Sequence, residues 1–555
     1  MARQFKRVDR DQPMMLPENM RDWVGTDHLV WFVIDVIEGL DTTALRGLGK
    51  PGSGRPGYDP VMLAVLLVYA YLQGERSSRR IEERCRTDAA FRVATGNQVP
   101  DHSTICRFRA AAAGGGGPLE DLFLRVLFVL AVAGLGRLDV ISVDGSKIWA
   151  NASKQANRTE AGLRKLARKI LDDAARADGD GCGCDGHGHG EAAGLEDPEP
   201  CGCCDAGTLP GLGLAGPAVP AGGWGPAPRA ARIAAGLESL AAIRLEKEAQ
   251  ARAAAQEYMD AFTAGSPPRG PVPAAIAVEV AELRLERAIA ACAESDARYA
   301  ATGRKKPGRG RKHAESHAVL KARGKLGRAV AARRDTERRA AGQEHGPRGG
   351  RKPGKPPEPV RNLTDPDSRV MHCTLRGKVQ ACSAQARRAL DGVFLLPQVV
   401  QDGNDAGQVA AAFAGIEASR EAIAAGHAAG GHPAAWSRPG TVTSGNGYFS
   451  RENIELPGPG RLIATGNWKD PGPHHPGCRH EDPRDQMHHN LATRQGRDLY
   501  RNRAPVSEGG FADLKERTGL RQFSMRGIAK AQGELLLATL ACNIHLGWRR
   551  GITLA

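Results

Sequence analysis

The chain has 555 residues, of which 41% are hydrophobic and 5% aromatic, with 69 Gly and 35 Pro. That is enough for two or three domains with sizeable cores, some segments being loose. Its 77 Lys+Arg against 62 Asp+Glu give a net charge of +15, which points to a polyanionic partner, nucleic acid first and an acidic membrane surface second. The start MARQFKRVDRDQP has no apolar stretch behind it to make a secretory signal. The longest apolar run, Val61–Leu72, is too short to span a membrane. The twelve Cys are not spaced as a secreted disulfide framework. The expectation is a cytoplasmic protein with no membrane association.

Residues 1–135 read as helical. Asp59-Pro60 supplies an N-cap and a first-turn proline, the run to Leu72 follows, and Gly74 closes it. SSRRIEERCRTDAAF reads as one amphipathic helix, and PDHSTICRFR (100–109) follows a turn and carries Arg107 and Arg109. Gly114–Gly117 breaks the chain before a strongly apolar helix over Pro118–Val132. Basic faces on small helices suit a DNA-binding head, and a purely structural helical cap is the other reading. Leu138–Val143 reads as a buried strand with Asp144 where it leaves the sheet. On that stretch alone, turn or cap duty is the ordinary use of such an Asp.

From about 155 to 300 the chain alternates Ala/Arg/Glu-rich helical stretches with Gly/Pro-rich links. Residues 304–361 hold 19 Lys+Arg against 5 Asp+Glu, a difference of +14 beside the whole-chain +15. Such a block is expected to be solvated, and functionally it suits salt-sensitive, sequence-blind contact with phosphates. Order returns with strands at Gly392–Gln401 and Gly460–Gly466 and a helix between them. Pro397 argues against a central place for the first strand. FADLKERTG and RGIAKAQGELLLATLACNIHLGWRR read as closing helices. The pattern is an α/β core interrupted by a mostly helical insertion.

Two Cys/His groups stand out. CGCDGHGHG and CGCCD put five Cys and two His between Cys182 and Cys204. Thiolate and imidazole suit zinc, but C-x-C and H-x-H spacing in a Gly-rich setting reads as linker. His474, His475, Cys478, His480, His488 and His489 form a second dense group that reads as loop surface.

DVISVDGSKIWANAS (139–153), together with DLYRNRAPVSEGGFADLK (498–515), resembles the bacterial insertion-sequence transposases of the DDE class. The segment from Gly54 through PDHSTICRFR is similar to their N-terminal helical domain. NLTDPDSRVM, QDGNDAGQ, GYFSRENI and RQFSMRG are similar to further family segments, in the family's order. The resemblance implies an α/β RNase H-like catalytic core, a mixed sheet with helices, preceded by an all-α N-terminal domain. It divides the chain into a helical DNA-binding domain (1–135), a first part of the core (136–160), an insertion that is helical, Cys/Gly-rich, basic and partly disordered (161–360), and the rest of the core with C-terminal helices (361–555). It implies metal-dependent DNA end cleavage and strand transfer with two divalent ions, Mg2+ or Mn2+, held by Asp144 and Glu508. Tyr500, Arg501, Arg503, Lys515, Arg107 and Arg109 would contact DNA. The implied partners are the terminal inverted repeats of the element, target DNA and further copies of the chain, at the nucleoid.

One position departs from the family. Its middle carboxylate lies two residues before the Gly-Tyr of TSGNGYFS, which here is Gly445, and the neighbour Asn446 is not an acid either. Cys382-Ser383 also stands where the family usually has Tyr-Asn. The expectation is a transposase impaired at Gly445. The alternatives are a non-catalytic remnant that occupies element ends, a substitute acid from Asp402 or Asp405, and a shifted register. A nuclease on the same fold and a zinc-binding regulator are more distant readings.

Overall fold

The computed structural model describes residues 19–48, 57–180, 226–266, 270–303, 316–340, 358–373, 377–466 and 482–552. The Cys182–Cys204 patch, His474, His475, Cys478, His480, the N-terminal basic start and much of the basic block lie outside them. The chain forms two compact units, Met1–Asn157 with Asn362–Ala555, and Arg158–Arg361.

The first unit opens with seven helices: α1 (Leu29–Glu38), α2 (Thr43–Arg46), α3 (Pro60–Leu72), α4 (Ser78–Thr87), α5 (Ala89–Ala94), α6 (His102–Ala112) and α7 (Pro118–Val132). Asp59 caps α3, its carboxylate accepting from Val61 N, and Pro60 occupies the first turn. Nearly every α3 side chain is buried, which fits a helix that is apolar all round. The expected single helix over 77–91 is two. Asp88 turns extended and its carboxylate accepts from Ala90 N and Phe91 N, so a strong capping residue starts a second helix in mid-pattern.

A six-stranded sheet follows: β1 (Val140–Trp149), β2 (Arg369–Cys373), β3 (Gly377–Ala389), β4 (Phe394–Val400), β5 (Thr441–Ser444) and β6 (Gly460–Ile463). β1 lies between β3, antiparallel, and β5, parallel, with β6 parallel beyond β5. The long β3 carries both β2 and β4 antiparallel on its other edge. The order β4-β3-β1-β5-β6, three antiparallel strands and then two parallel to the first, is that of an RNase H-like sheet. Pro397 sits in β4, which pairs only with β3, so its missing N–H costs no ladder bond.

β1 runs five residues past Asp144, farther than the sequence suggests, because β3 pairs with it as far as Trp149↔Ala381. The parallel pairing with β5 does stop at Val143↔Ser444. Asp144 therefore stands where one of the two neighbours of β1 falls away.

Around the sheet lie α12 (Val409–Ala429), α13 (Arg451–Glu455), α14 (Pro483–Ala492), α15 (Arg494–Tyr500), α16 (Arg503–Glu516) and α17 (Ile528–Arg549). α17 is buried on almost every face. It shares a single apolar core with α3, α7 and the sheet, so the N-terminal helices and the sheet are stabilised together. Two family-like segments meet at its start. Asp367 Oδ2 accepts from Ile528 N at 2.9 Å, and Asp365 Oδ1 from Gly527 N at 3.2 Å.

Inside α17, Glu534 is fully buried. Its carboxylate accepts from Ser524 N and Oγ, from Met525 N, and from Arg76 Nη1 at 3.1 Å. Arg76 comes from the turn before α4, so this buried pair ties the N-terminal helices to the C-terminal one.

At the mouth of the insertion the chain leaves and returns side by side. Asn362 Nδ2 donates to Ser153 O at 2.8 Å and to Asn157 Oδ1 at 3.3 Å, and Leu363 N donates to Ala156 O at 3.1 Å. The second unit contains α8 (Glu160–Asp180), α9 (Pro226–Thr263), α10 (Ala277–Thr302) and α11 (His317–Ala340). Tyr258, Phe262 and Val280 form a small core there, with Arg287 over the Phe262 ring. α11 lies in the basic block, and most of its side chains are exposed. Its Ala, Arg and Lys are strong helix formers, and Arg333 pairs with Glu337 one turn on.

Breaking a buried pair from one side leaves the other charge uncompensated. Glu534→Ala is expected to lower unfolding free energy by about 3 kcal/mol, read as a shifted urea midpoint. An unchanged midpoint would show that Arg76 and Ser524 resolvate freely without it.

Candidate active site

Ser142, Asp144 and Ser146 alternate on one face of β1, and α16 lies along that face. Ser142 Oγ meets Ser507 Oγ and lies 3.4 Å from Arg503 O. Arg503 Nη2 donates to Asp144 Oδ2 at 3.1 Å, and Lys515 Nζ donates to Ser146 Oγ at 2.8 Å. α16 begins at Arg503, eight residues ahead of the expected FADLKERTG helix. That extra length is what brings Arg503 to Asp144.

Both members of this ion pair are largely buried, with 19% and 22% of their side chains exposed. Burial pushes the Asp144 carboxyl above its usual range, the Arg503 charge pulls it back, and Asp405 and Glu508 push it up further. Burial also raises the Tyr500 phenol and lowers Lys515. Arg503 Nε is buried without a hydrogen bond, so the guanidinium is held by the Asp144 carboxylate and by the Tyr500 side chain beside it.

The register explains the place of Gly445. Because Val143 pairs with Ser444, Asp144 and Gly445 leave the parallel pair side by side. This is the crevice at the carboxyl ends of parallel strands, where α/β sheets place their ligands. Gly445 has φ −75°, open to any residue. A Cβ there would lie 2.8 Å from Arg503 Nη2. The guanidinium thus fills the space that an acid at 445 would enter, and it stands as a cation between that place and Asp144.

The remaining sequence candidates separate by position. Glu508 is exposed on α16, within electrostatic range of Asp144 but not bonded to it. Tyr500 Oη donates to Ser444 O at 3.2 Å and so braces the end of β5. Arg501 is exposed beside Asp498. Arg107 is exposed on α6 and reaches back to Ser103 and Thr104. Arg109 is buried, 3% exposed, and donates to Arg76 O and Ser78 Oγ. Arg109 thus lines a cleft of the N-terminal helices with its guanidinium engaged by the backbone and a serine. Of the later histidines, His488 faces Thr465 Oγ1 from α14.

Sequence reasoning missed three groups. Gln385 donates from Nε2 to Asp405 Oδ1 at 3.0 Å and accepts at Oε1 from Tyr448 Oη at 2.5 Å. Tyr448 lay in a quoted motif, and its place after two glycines was the available signal. Arg387 is fully buried, with no carboxylate partner among the described residues. Its Nη2 donates to Ala411 O and Gln398 Oε1, and burial lowers it to about 10. Nothing in ARRAL distinguishes it from a surface arginine.

A second concave region lies in the N-terminal helices. A cleft of about 550 Å3 is lined by Arg76, Arg79, Arg107, Ser78, Ser103 and their neighbours. The first turns of α4 and α6 both open on it. Ser77 at the start of α4 makes no side-chain cap and its own N–H donates to Glu75 Oε1 at 2.9 Å, whereas Asp101 caps α6.

As they stand, no three His, Cys, Asp or Glu among the described residues form a group able to hold a metal ion. The donor chemistry of the crevice nonetheless suits one. Carboxylate oxygens favour hard divalent cations, and the Arg503 guanidinium already stands in for a cation at Asp144.

Comparison with known proteins gives two family matches. A transposase domain (DUF772) matches residues 18–111, and a transposase DDE domain matches residues 474–546. The first takes in α1 to α6 and the second α14 to α17, so Asp144 and the sheet lie outside both. No curated protein and no solved structure matches the chain. DDE transposases generally use divalent metal ions. Among the described residues no helix is long and apolar enough to cross a membrane.

Removing the Arg503 charge should raise the pH at which Asp144 titrates. In Arg503→Ala, carbodiimide labelling of Asp144, which needs the protonated carboxyl, is expected to begin at higher pH by peptide mass spectrometry. Superimposable labelling curves would mean that the ion pair does not persist in solution. A transposase domain at one end, a DDE domain at the other and an RNase H-like sheet between them place this chain among the insertion-sequence transposases of the DDE class.

Proposed function

We propose that this transposase cleaves DNA at the terminal inverted repeats of its own element and transfers the strands to target DNA, at a rate reduced by the missing acid at Gly445. The observation that carries the reading is the crevice itself. Asp144 and position 445 leave two parallel strands side by side, under a helix that presents Arg503, Glu508 and Lys515. Asp144 and Glu508 would hold Mg2+ or Mn2+, which when bound activates a water or 3′-hydroxyl and stabilises the leaving oxygen. Arg503 and Lys515 suit a DNA phosphate at the crevice, and Tyr500 holds the strand end that fixes position 445. Arg501, exposed nearby, suits the backbone farther out. The cleft of Arg79 and Arg107, with the uncapped start of α4, suits a second stretch of backbone phosphates. Paired element ends imply a homo-oligomer on DNA.

One observation favours a second reading, a remnant that binds ends without cutting. The Arg503–Asp144 pair neutralises the first acid, and no side chain at 445 draws the guanidinium away.

With DNA carrying the element ends and Mn2+, the unaltered protein is expected to cut, Asp144→Asn to bind without cutting, and Gly445→Asp to cut about tenfold faster or more. The carboxylate introduced at 445 would take up Arg503 and free Asp144. Binding by the unaltered protein with cleavage no higher than in Asp144→Asn selects the remnant.

Phosphate contacts by the cleft should also appear in the salt dependence. Arg79→Ala and Arg107→Ala are each expected to weaken binding of any duplex and to flatten the slope of log K against log salt by about 1. Unaltered slopes would remove the cleft from the DNA path.

A further inference from the structure

The second unit lies outside both family matches and supplies nothing to the crevice or the cleft. Its helix α11 nevertheless carries much of the basic block. From His317 to Arg338 it holds seven Lys+Arg against Asp335 and Glu337. The helix has one inward side. Val319 and Ala322 are buried, and Leu326, Ala329 and Val330 are partly buried. That spacing is one face of a helix, and it packs on α10. Ser316, just before α11, lies with its Oγ 3.2 Å from Cys292 Sγ on α10. Every other side chain from His317 to Arg338 is exposed.

At 3.6 residues per turn the outward side divides into lanes. Lys321, Lys325 and Arg328 form one flank, and Arg323 and Arg334 the other. Between them run Leu320, Gly324, Gly327 and Ala331, with Asp335 and Arg338 closing the lane. The five flanking cations have no ion pair among the described residues, whereas Arg333, outside the lanes, pairs with Glu337 at 3.0 Å. A Cβ on Gly327 would meet nothing within 4 Å, and one on Gly324 only Arg328 Nη1 at 3.8 Å. Neither glycine has a positive φ, and each weakens a helix relative to Ala. Packing within the chain does not call for them. A foreign surface that must approach the helix axis closely does.

The dimensions suit a DNA duplex. A helix with its side chains is about 10–12 Å across, and the major groove of B-DNA is about 12 Å wide. With the lane turned inward, each flank meets the phosphates of one strand. Gly and Ala offer a base edge neither donor nor acceptor, so such contact reads no sequence. A membrane surface fits less well, because a helix lying in it buries Trp, Phe or Leu, and the lane has Leu320 alone.

We propose that α11 is a separate DNA-binding element of this transposase, seated in the major groove of duplex of any sequence. Lys321, Lys325 and Arg328 hold the phosphates of one strand, and Arg323 and Arg334 those of the other. The element needs neither a metal at Asp144 nor the ends of the insertion sequence.

The test is binding of the full chain to a labelled duplex without element ends, read by fluorescence anisotropy over a range of salt. Lys321→Ala, Lys325→Ala and Arg328→Ala combined are expected to flatten the slope of log K against log salt by about 2 to 3. The loss should be equal on duplexes of unrelated sequence. Alanine is the better helix former, so helical content by circular dichroism should stand. Arg333→Ala is expected to keep the unaltered slope. Gly327→Glu, which leaves every cation in place, is expected to weaken binding several-fold. An RNA duplex, whose major groove is too deep and narrow for a helix, is expected to lose less from the combined substitution than DNA does.

A slope indifferent to the combined substitution overturns the proposal. An effect of Arg333→Ala as large as that of one flanking cation, or an equal loss on the RNA duplex, shows attraction by net charge and overturns the seating in the groove. Phosphatidylserine vesicles that lose binding with the substitutions while the duplex does not overturn it in favour of a membrane surface.

Discussion

Everything at the crevice follows from the unequal pairing of β1. Along Val140–Val143 the strand has a partner on both edges, and from Asp144 to Ile148 it has one, until Gln522 bridges to Trp149. Backbone polar groups in a sheet must find partners, so a central strand that loses a neighbour in mid-course opens a gap that helices and loops then line. α16 enters from one side and the β4–α12 turn from the other. The opening is therefore a product of register. A one-residue slip between β1 and β5 would turn Asp144 away from it.

The electrostatics of the gap balance on a single guanidinium. Asp144 is buried enough to resist ionisation, and two further acids lie within range of it. Arg503 and the Gly145 N–H, which donates to Asp144 Oδ1 at 3.0 Å, favour its charged form, and that arginine has one buried N–H without an acceptor. Such a pair is weakly determined. A buried salt bridge repays its desolvation only when its remaining donors are also satisfied, so a competing cation of higher charge meets little resistance.

Local patterns in the sequence carried much of the fold. The Asp59-Pro60 start, the 118–132 helix and the edge strand around Pro397 were legible because capping, apolar periodicity and proline act within a few residues. The division at Asp88 was not, because an Asp inside an amphipathic pattern reads equally as solvated surface. The second half of β1 was hidden for another reason. GSKIW has little strand pattern of its own and is held by β3, more than two hundred residues away. At the site, the motif located Asp144 and the gap at 445, yet the neighbourhood of Asp405 depends on Gly145 and Gly447, which come close to it only in three dimensions. Arg387 and Arg109 looked like surface charge and are buried.

The neck at Asn157 and Asn362 has a different kind of consequence. Because the chain departs and returns at adjacent points pinned by Asn362 and Leu363, the sheet order is indifferent to what lies between them. Closing a longer flexible loop costs only about 0.6 kcal/mol per doubling of length. Residues 158–361 are thus a parenthesis in the polypeptide. A change in the length or content of that stretch leaves the pairing of the strands of the six-stranded sheet, which all lie outside it, untouched.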